Sequence, residues 1–308
     1  MIANLLLRSL TVLLTSLLSC GVAVSDNGTP PVATIDAAAS LGYFYGGGRY
    51  VGEGGKQVMQ GAMYVEVLRP RQVSQPHPLV LFHGAAQTGT NWLGTPDGRP
   101  GWAQYFLERG NVVYMVDQPA RGRSAWHSAF DGQVRNFPAP FLEKLFTASR
   151  ELGSWPQAKK HSQWPGEGPS RGPMSDPAFD AFYATQVEFL ASNSETQQRV
   201  QDTGAALLDR IGPAILLSHG QAGAFGWLIA DVRPQLVKGI IAVEPLGPPF
   251  QDAVLGDAKA RPSGATDIKL VYDRPRGDQR RTTGKAGRSE LSAWWLQKEP
   301  ARKLTNLA

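Results

Sequence analysis

The sequence predicts an α/β fold: a mostly parallel sheet with helices between its strands and a cap inserted over the site. Three observations carry this. Short apolar runs, of the kind buried on both faces of a parallel sheet, recur within His77–Gly84, Asn111–Asp117, Pro213–His219 and Val237–Pro245. Helical stretches, Trp102–Gly110 with its glycine stop and Gln198–Ile211, fall between the runs. Residues 126–190 lose the alternation and are rich in Pro, Gly, Trp and Phe, as an inserted cap would be.

Length and composition agree with one domain. The chain of 308 residues suits a large α/β domain with a leader, and a hydrophobic fraction of 42% supplies a sizeable core. A net charge of +5 and a pI near 9.3 are too modest to call for nucleic acid or another polyanion. Met1–Val24 reads as a secretory signal, with Arg8 as its charge, a Leu-rich run behind it, and small residues Ala23 and Ser25 placed for cleavage before Asp26. An uncleaved anchor is the alternative, since the apolar run nears spanning length. Leu17-Leu-Ser-Cys20 loosely resembles a bacterial lipobox, with Leu18 fitting poorly. Cys20 is the single cysteine, so the mature chain is expected to hold no disulfide. Asn27-Gly-Thr29 is a glycosylation sequon beside the cleavage point. The expected organisation is a signal over 1–25, a loose arm over 26–40 and one domain over 41–308.

Each element follows in order. Gly42–Val51 and Gly61–Leu68 alternate enough to form an antiparallel pair, and the glycines at 46–48 read as a turn, being out of register for a nucleotide loop. His77–Gly84 ends in His-Gly, a dipeptide that opens an oxyanion loop in folds of this kind; His83 there reads as structural. Asn111–Asp117 runs into Gln118-Pro-Ala-Arg-Gly-Arg-Ser124, whose Arg121 and Arg123 either brace a loop or bind phosphate. In the cap, Phe137, Phe141, Phe146, Trp155 and Trp164 either line an apolar pocket or pack the cap on the core. Val237–Pro245 is the sixth main strand. It ends in Glu244, at the edge where catalytic groups collect; a carboxylate there either orients a catalytic histidine or braces the following Leu246–Phe250 loop.

The centre of the chain is Pro213-Ala-Ile-Leu-Leu-Ser-His-Gly-Gln-Ala-Gly223, a buried run, a turn of small residues and then an apolar helix from Ala224. This is the architecture of the nucleophile elbow of α/β-hydrolases. Ser218 and Ala222 supply the small residues that the crowded turn demands on either side of the nucleophile. The nucleophile position itself is Gly220, which tolerates the strained backbone and has no side chain to attack with. Ser218 is not a substitute, because its side chain leaves the elbow in another direction.

Several motifs in order, His83-Gly84, Thr95-Pro-Asp-Gly-Arg-Pro-Gly-Trp102, Asp117-Gln with Arg121-Gly-Arg-Ser124, Ser218-His-Gly-Gln-Ala-Gly223 and Val243-Glu-Pro245, resemble a family of secreted α/β-hydrolases. These are bacterial and fungal esterase-like enzymes whose elbow reads His-Ser-Gln-(small)-Gly, and the resemblance covers roughly residues 40 to 307. It implies an α/β-hydrolase fold and an ester or acyl substrate. It places the nucleophile position at Gly220, the acid at Glu244 and the oxyanion N–H donors at Ala85 and Gln221, with no cofactor and no metal. The family's catalytic histidine lies near the C-terminus, and this sequence has no histidine after His219; His77, His127 and His161 come too early.

Residues 251–308 contain one strand-like run, Ile268–Tyr272, a basic loop over Arg274–Arg288, and Trp295–Arg302, which in the resembling family precedes the seventh strand. The expectation is therefore a C-terminally truncated sheet lacking its last two strands. Its sixth strand would be an open apolar edge, Ile240–Val243, available for self-association. Three functions follow: an ester hydrolase by descent with lost or residual activity, a secreted non-catalytic binder of a small acyl or carboxylate ligand, or a product without function. A setting in secondary metabolism would make the ligand a polyketide or similar compound. No nucleic-acid partner is expected, nor a membrane once the signal is cleaved.

Overall fold

A computed structural model describes residues 34–160, 172–245 and 266–270. Its frame is a six-stranded sheet. The strands are β1 (Ala38–Gly46), β4 (Met63–Pro70), β6 (Val113–Asp117), β5 (Leu79–Phe82), β9 (Ala214–His219) and β10 (Val237–Val243), named in spatial order. β1 and β4 run antiparallel, as do β4 and β6; β6, β5, β9 and β10 are mutually parallel. The four parallel strands are the four apolar runs of the sequence.

Period-two alternation divides the core into two layers. Val80, Phe82, Tyr114, Val116 and Leu216 face one side. There they meet Leu207 and Leu208 of one helix, Asn193–Ile211, and Phe225, Leu228 and Ile229 of another, Phe225–Val232. Leu79, Leu81, Val113, Met115 and Leu217 face the other side, against Trp92 and against Ala103 and Leu107 of the helix Trp102–Glu108. In chain order the helices are α1 (Trp102–Glu108), α2 (Ala139–Leu142), α3 (Pro177–Tyr183), α4 (Asn193–Ile211) and α5 (Phe225–Val232).

Four boundaries differ from expectation. β1 starts at Ala38, three residues inside the stretch read as a loose arm, because its register with β4 continues to Ala38↔Pro70. Beyond Gly46 the front pair gives way to a separate small hairpin, β2 (Arg49–Val51) on β3 (Val58–Gln60). α4 starts at Asn193, five residues before Gln198, because the Ser192 hydroxyl accepts the Glu195 N–H at 3.2 Å and caps it. Residues 268–270 of the strand-like run carry no strand; they dock on α4, where the Gln197 amide oxygen accepts the Asp267 N–H at 2.7 Å and Leu270 enters the core.

Residues 126–190 hold α2, α3 and short turns, and their ends are drawn together by pairing of β7 (Val134–Arg135) with β8 (Phe189–Leu190). The signal, the sequon, Trp164, His161, the Leu246–Phe250 loop and the chain beyond Leu270 lie outside the described residues.

Candidate active site

β5 has β6 on one side and β9 on the other, so the connections leaving β5 and β9 diverge at their carboxyl ends. In an open parallel sheet that divergence leaves a crevice where ligands bind. The register Phe82↔Ser218 sets His83 beside His219 and Gly84 beside Gly220. The approach is close: a Cβ on Gly84 would stand 2.9 Å from His219 Nδ1, so glycine is needed there.

Gly220 has φ +57°, the left-handed conformation of an elbow, and a Cβ built on it would meet only the Gly84 Cα, at 3.8 Å. The turn keeps both the strained backbone and the room for a side chain it does not carry. Downstream, a Cβ on Gly223 would come within 2.6 Å of Pro245, which explains the small residue after the turn. Ser218 is fully buried in β9, and its hydroxyl points across the sheet toward the Ile241 carbonyl, at 3.5 Å.

Left-handed backbone recurs along this edge. Ala86 after β5 has φ +54°, Ala120 after β6 has +59°, and Glu244 after β10 has +47°. Non-glycine residues in this region cost about 1–3 kcal/mol each, and such strain gathers at functional sites.

A polar network anchors the loops. Asp117 accepts the Gly89 N–H at 2.7 Å and the Arg123 N–H and Nε–H at 2.9 and 2.8 Å. Burial pushes the Asp117 carboxyl up, but Arg123 and the two backbone donors outweigh it and hold it below the usual carboxylate range. Arg123 also pairs with Glu66, so it braces the loop. His83 is fully buried. Its Nε2 accepts the Gln118 N–H at 3.2 Å, which puts the proton on Nδ1, 2.9 Å from the Gly84 carbonyl. Burial, reinforced by the Arg121 charge, pushes the imidazole down to about 3, so it is neutral.

Of the residues expected at the site, Ala85 lies in the turn after β5 and Gln221 in the first turn after β9, on neighbouring strands. Glu244 leaves β10 beside the elbow, largely exposed, with a carboxylate oxygen 3.6 Å from His219 Nε2. His127 is held away from it, its Nε2 3.0 Å from the Met59 carbonyl on the β2–β3 hairpin. In the cap, Phe137 packs at a tilt against Phe141 and against the buried Phe189, with ring centres 5.1 and 4.9 Å apart, whereas Phe146 is exposed. The cap is fastened to the loop after β5: the Val187 N–H donates to the Ala86 carbonyl at 2.9 Å, and the Thr185 hydroxyl to Gln87 at 3.2 Å.

Three residues join the site that sequence patterns did not place there. Arg121 donates to the Gly84 carbonyl at 3.1 Å and to the Gln221 side chain at 3.2 Å. Asn193 accepts from the Gln221 amide at 3.2 Å. His219 stands between Gly84 and Glu244. The Arg121-Gly-Arg123 motif signalled a fixed cation, but not which way it turned. Among the described residues no group of His, Cys, Asp and Glu is arranged to hold a metal ion.

No family model matches the chain. It is 43% identical over 269 residues to a protein named probable secreted lipase phiG, from Fungal sp. (strain ATCC 74256), in an alignment covering 86% of this chain and 70% of that relative. Among solved structures it is similar to a novel bacterial esterase, at 24% identity and a TM-score of 0.49, over 68% of this chain and 69% of that one. It is also similar to naproxen esterase (carboxylesterase NP) from Bacillus subtilis, at 12% identity and a TM-score of 0.32, over 69% and 46% of the two chains.

Proposed function

The chain belongs to a family of secreted, lipase- and esterase-like α/β-hydrolases, and on that premise we propose that it descends from an ester hydrolase, has lost the turnover or keeps a residue of it, and binds a small acyl or carboxylate ligand at the elbow. The observation that carries this is Gly220. The backbone there holds the strained conformation that a nucleophile needs, with open space in the side-chain direction, and no atom to attack a carbonyl. Loss of the nucleophile alone costs on the order of a millionfold in turnover. Backbone donors do not depend on side chains, so the Ala85 and Gln221 N–H groups can still receive a carboxylate or carbonyl oxygen. What the donors retain by themselves is about a thousandfold over water.

Covalent labelling tests the silent elbow. A fluorophosphonate is expected to leave the intact mass unchanged, and an adduct mapped to the peptide carrying Ser218 would overturn the assignment. Any ester hydrolysis in the preparation should disappear in Glu244→Gln; an unchanged rate would trace it to another protein. Ligand binding is read by thermal shift with short-chain carboxylates, and a melting curve indifferent to all of them would favour a product without function.

A further inference from the structure

Arg121 is only 3% exposed. Its hydrogen-bond partners among the described residues are a carbonyl and an amide oxygen, and its Nε has none. Asp117 lies close enough for its charge to be felt, but its oxygens are taken by Gly89 and Arg123. Burial pushes the guanidinium down to about 9, which leaves it charged at neutral pH. The buried Phe189 ring covers it, 5.2 Å from the guanidinium carbon, and Arg135 stands over the same ring at 4.9 Å. A buried charge without a counter-charge is costly, and an anion that supplies one is correspondingly favoured.

The two partners of Arg121 belong to the two halves of the donor frame. A trans peptide carries its C=O and its following N–H on opposite sides. The Gly84 carbonyl is held by Arg121 at 3.1 Å and by His83 Nδ1 at 2.9 Å, so the Ala85 N–H is turned away from both. On the other half, Arg121 donates to the Gln221 amide oxygen at 3.2 Å, and the amide nitrogen of the same side chain donates to Asn193 at 3.2 Å. One rigid fork therefore spans two loops that come from different strands, a task for a planar guanidinium rather than a flexible ammonium.

We propose that Arg121 is the positioning residue of the donor frame, setting the Ala85 half against the Gln221 half, and that its charge, which no carboxylate hydrogen-bonds among the described residues, makes the site select an ionised carboxylate over the neutral ester or amide of the same shape. The selectivity rests on the binding function proposed above; the positioning role does not.

Two measurements separate them. Amide hydrogen exchange of the ligand-free protein is compared for wild type, Arg121→Met and Arg121→Lys, with circular dichroism confirming the fold. In Arg121→Met, exchange is expected to rise about tenfold in the peptides covering 83–87 and 219–222 together, the loss of hydrogen bonds to a charged group, while β6 stays protected. Arg121→Lys should recover one half at most, and it stands in if Arg121→Met does not fold. Exchange unchanged in both segments, or raised in one alone in Arg121→Met, overturns the positioning role. Calorimetry with hexanoate and hexanamide reads the selectivity. Wild type should prefer hexanoate, and Arg121→Met should lose about tenfold or more of that preference, hexanoate affinity falling further than hexanamide affinity. Equal affinities in wild type overturn the selectivity. Absence of any binding overturns the binding function and the selectivity with it, and leaves the exchange result standing by itself.

Discussion

At the scale of single residues, this site is governed by what burial does to polar groups. His83 has no access to water, lies near the Arg121 and Arg123 charges, and uses both ring nitrogens, one accepting from Gln118 and one facing the Gly84 carbonyl. Its folded-state pKa of about 3 lies below the ordinary 6.5. Between those values the unfolded chain binds more protons than the folded one. Stability from this group is therefore fully present above the ordinary value and drains away as the pH falls toward the folded value, by at most about 1.4 kcal/mol per pH unit. The melting temperature should fall on acidification from neutral pH, and less steeply in His83→Gln. Parallel slopes would mean that another group carries the effect. The same imidazole, kept neutral, can hold the Gly84 carbonyl without adding a second cation beside Arg121.

At the scale of elements, helix placement is set by glycines as much as by apolar stripes. A Cβ on Gly204 of α4 would stand 2.4 Å from the Ile229 side chain of α5, and one on Gly226 would stand 2.5 Å from Ile240 of β10. These contacts let α5 lie close against both neighbours while the elbow feeds directly into it. Gly204→Ala should gain up to about 1 kcal/mol in helix propensity. It should lose about 1–3 kcal/mol to overpacking, because the added Cβ would meet the fully buried Ile229 side chain. The expected net result is a lower denaturant midpoint at an unchanged slope; a higher midpoint would show that the helices can separate without cost. The start of α4 is marked in the sequence by the cap-type spacing of Ser192 and Glu195, ahead of the apolar periodicity.

At the scale of the molecule, the sheet formed by the described residues has two unlike edges. β1 shows Leu41, Tyr43 and Tyr45 to solvent, with Tyr43 stacked on Tyr64 and Tyr45 edge-on to it. β10 is the outer strand on the other side among the described residues, and Ile241 there is 42% exposed. An apolar outer strand invites pairing with another chain, and we propose that β10 pairs with a second copy. Sedimentation should then depend on protein concentration, and Ile241→Lys should abolish the dependence. A wild-type monomer at every concentration would dismiss the pairing.

The sequence by itself determined the four parallel strands and the turn of small residues after β9. Strands buried on both faces must be apolar throughout, a left-handed turn between tightly packed segments must use small residues, and both demands are local. The small residues around Gly220 marked a tight turn, and the structure gives that glycine a φ of +57°. The partners of the site are another matter. Arg121 meets Gly84 across 37 positions and Gln221 across 100. Glu244 reaches His219 from the adjoining strand. Those meetings exist because β5 lies between β6 and β9, and β10 lies on the far side of β9. Strand order is decided by how the whole chain buries its two apolar layers. Only the folded sheet could turn a loop arginine toward Gly84 and Gln221 rather than into solvent.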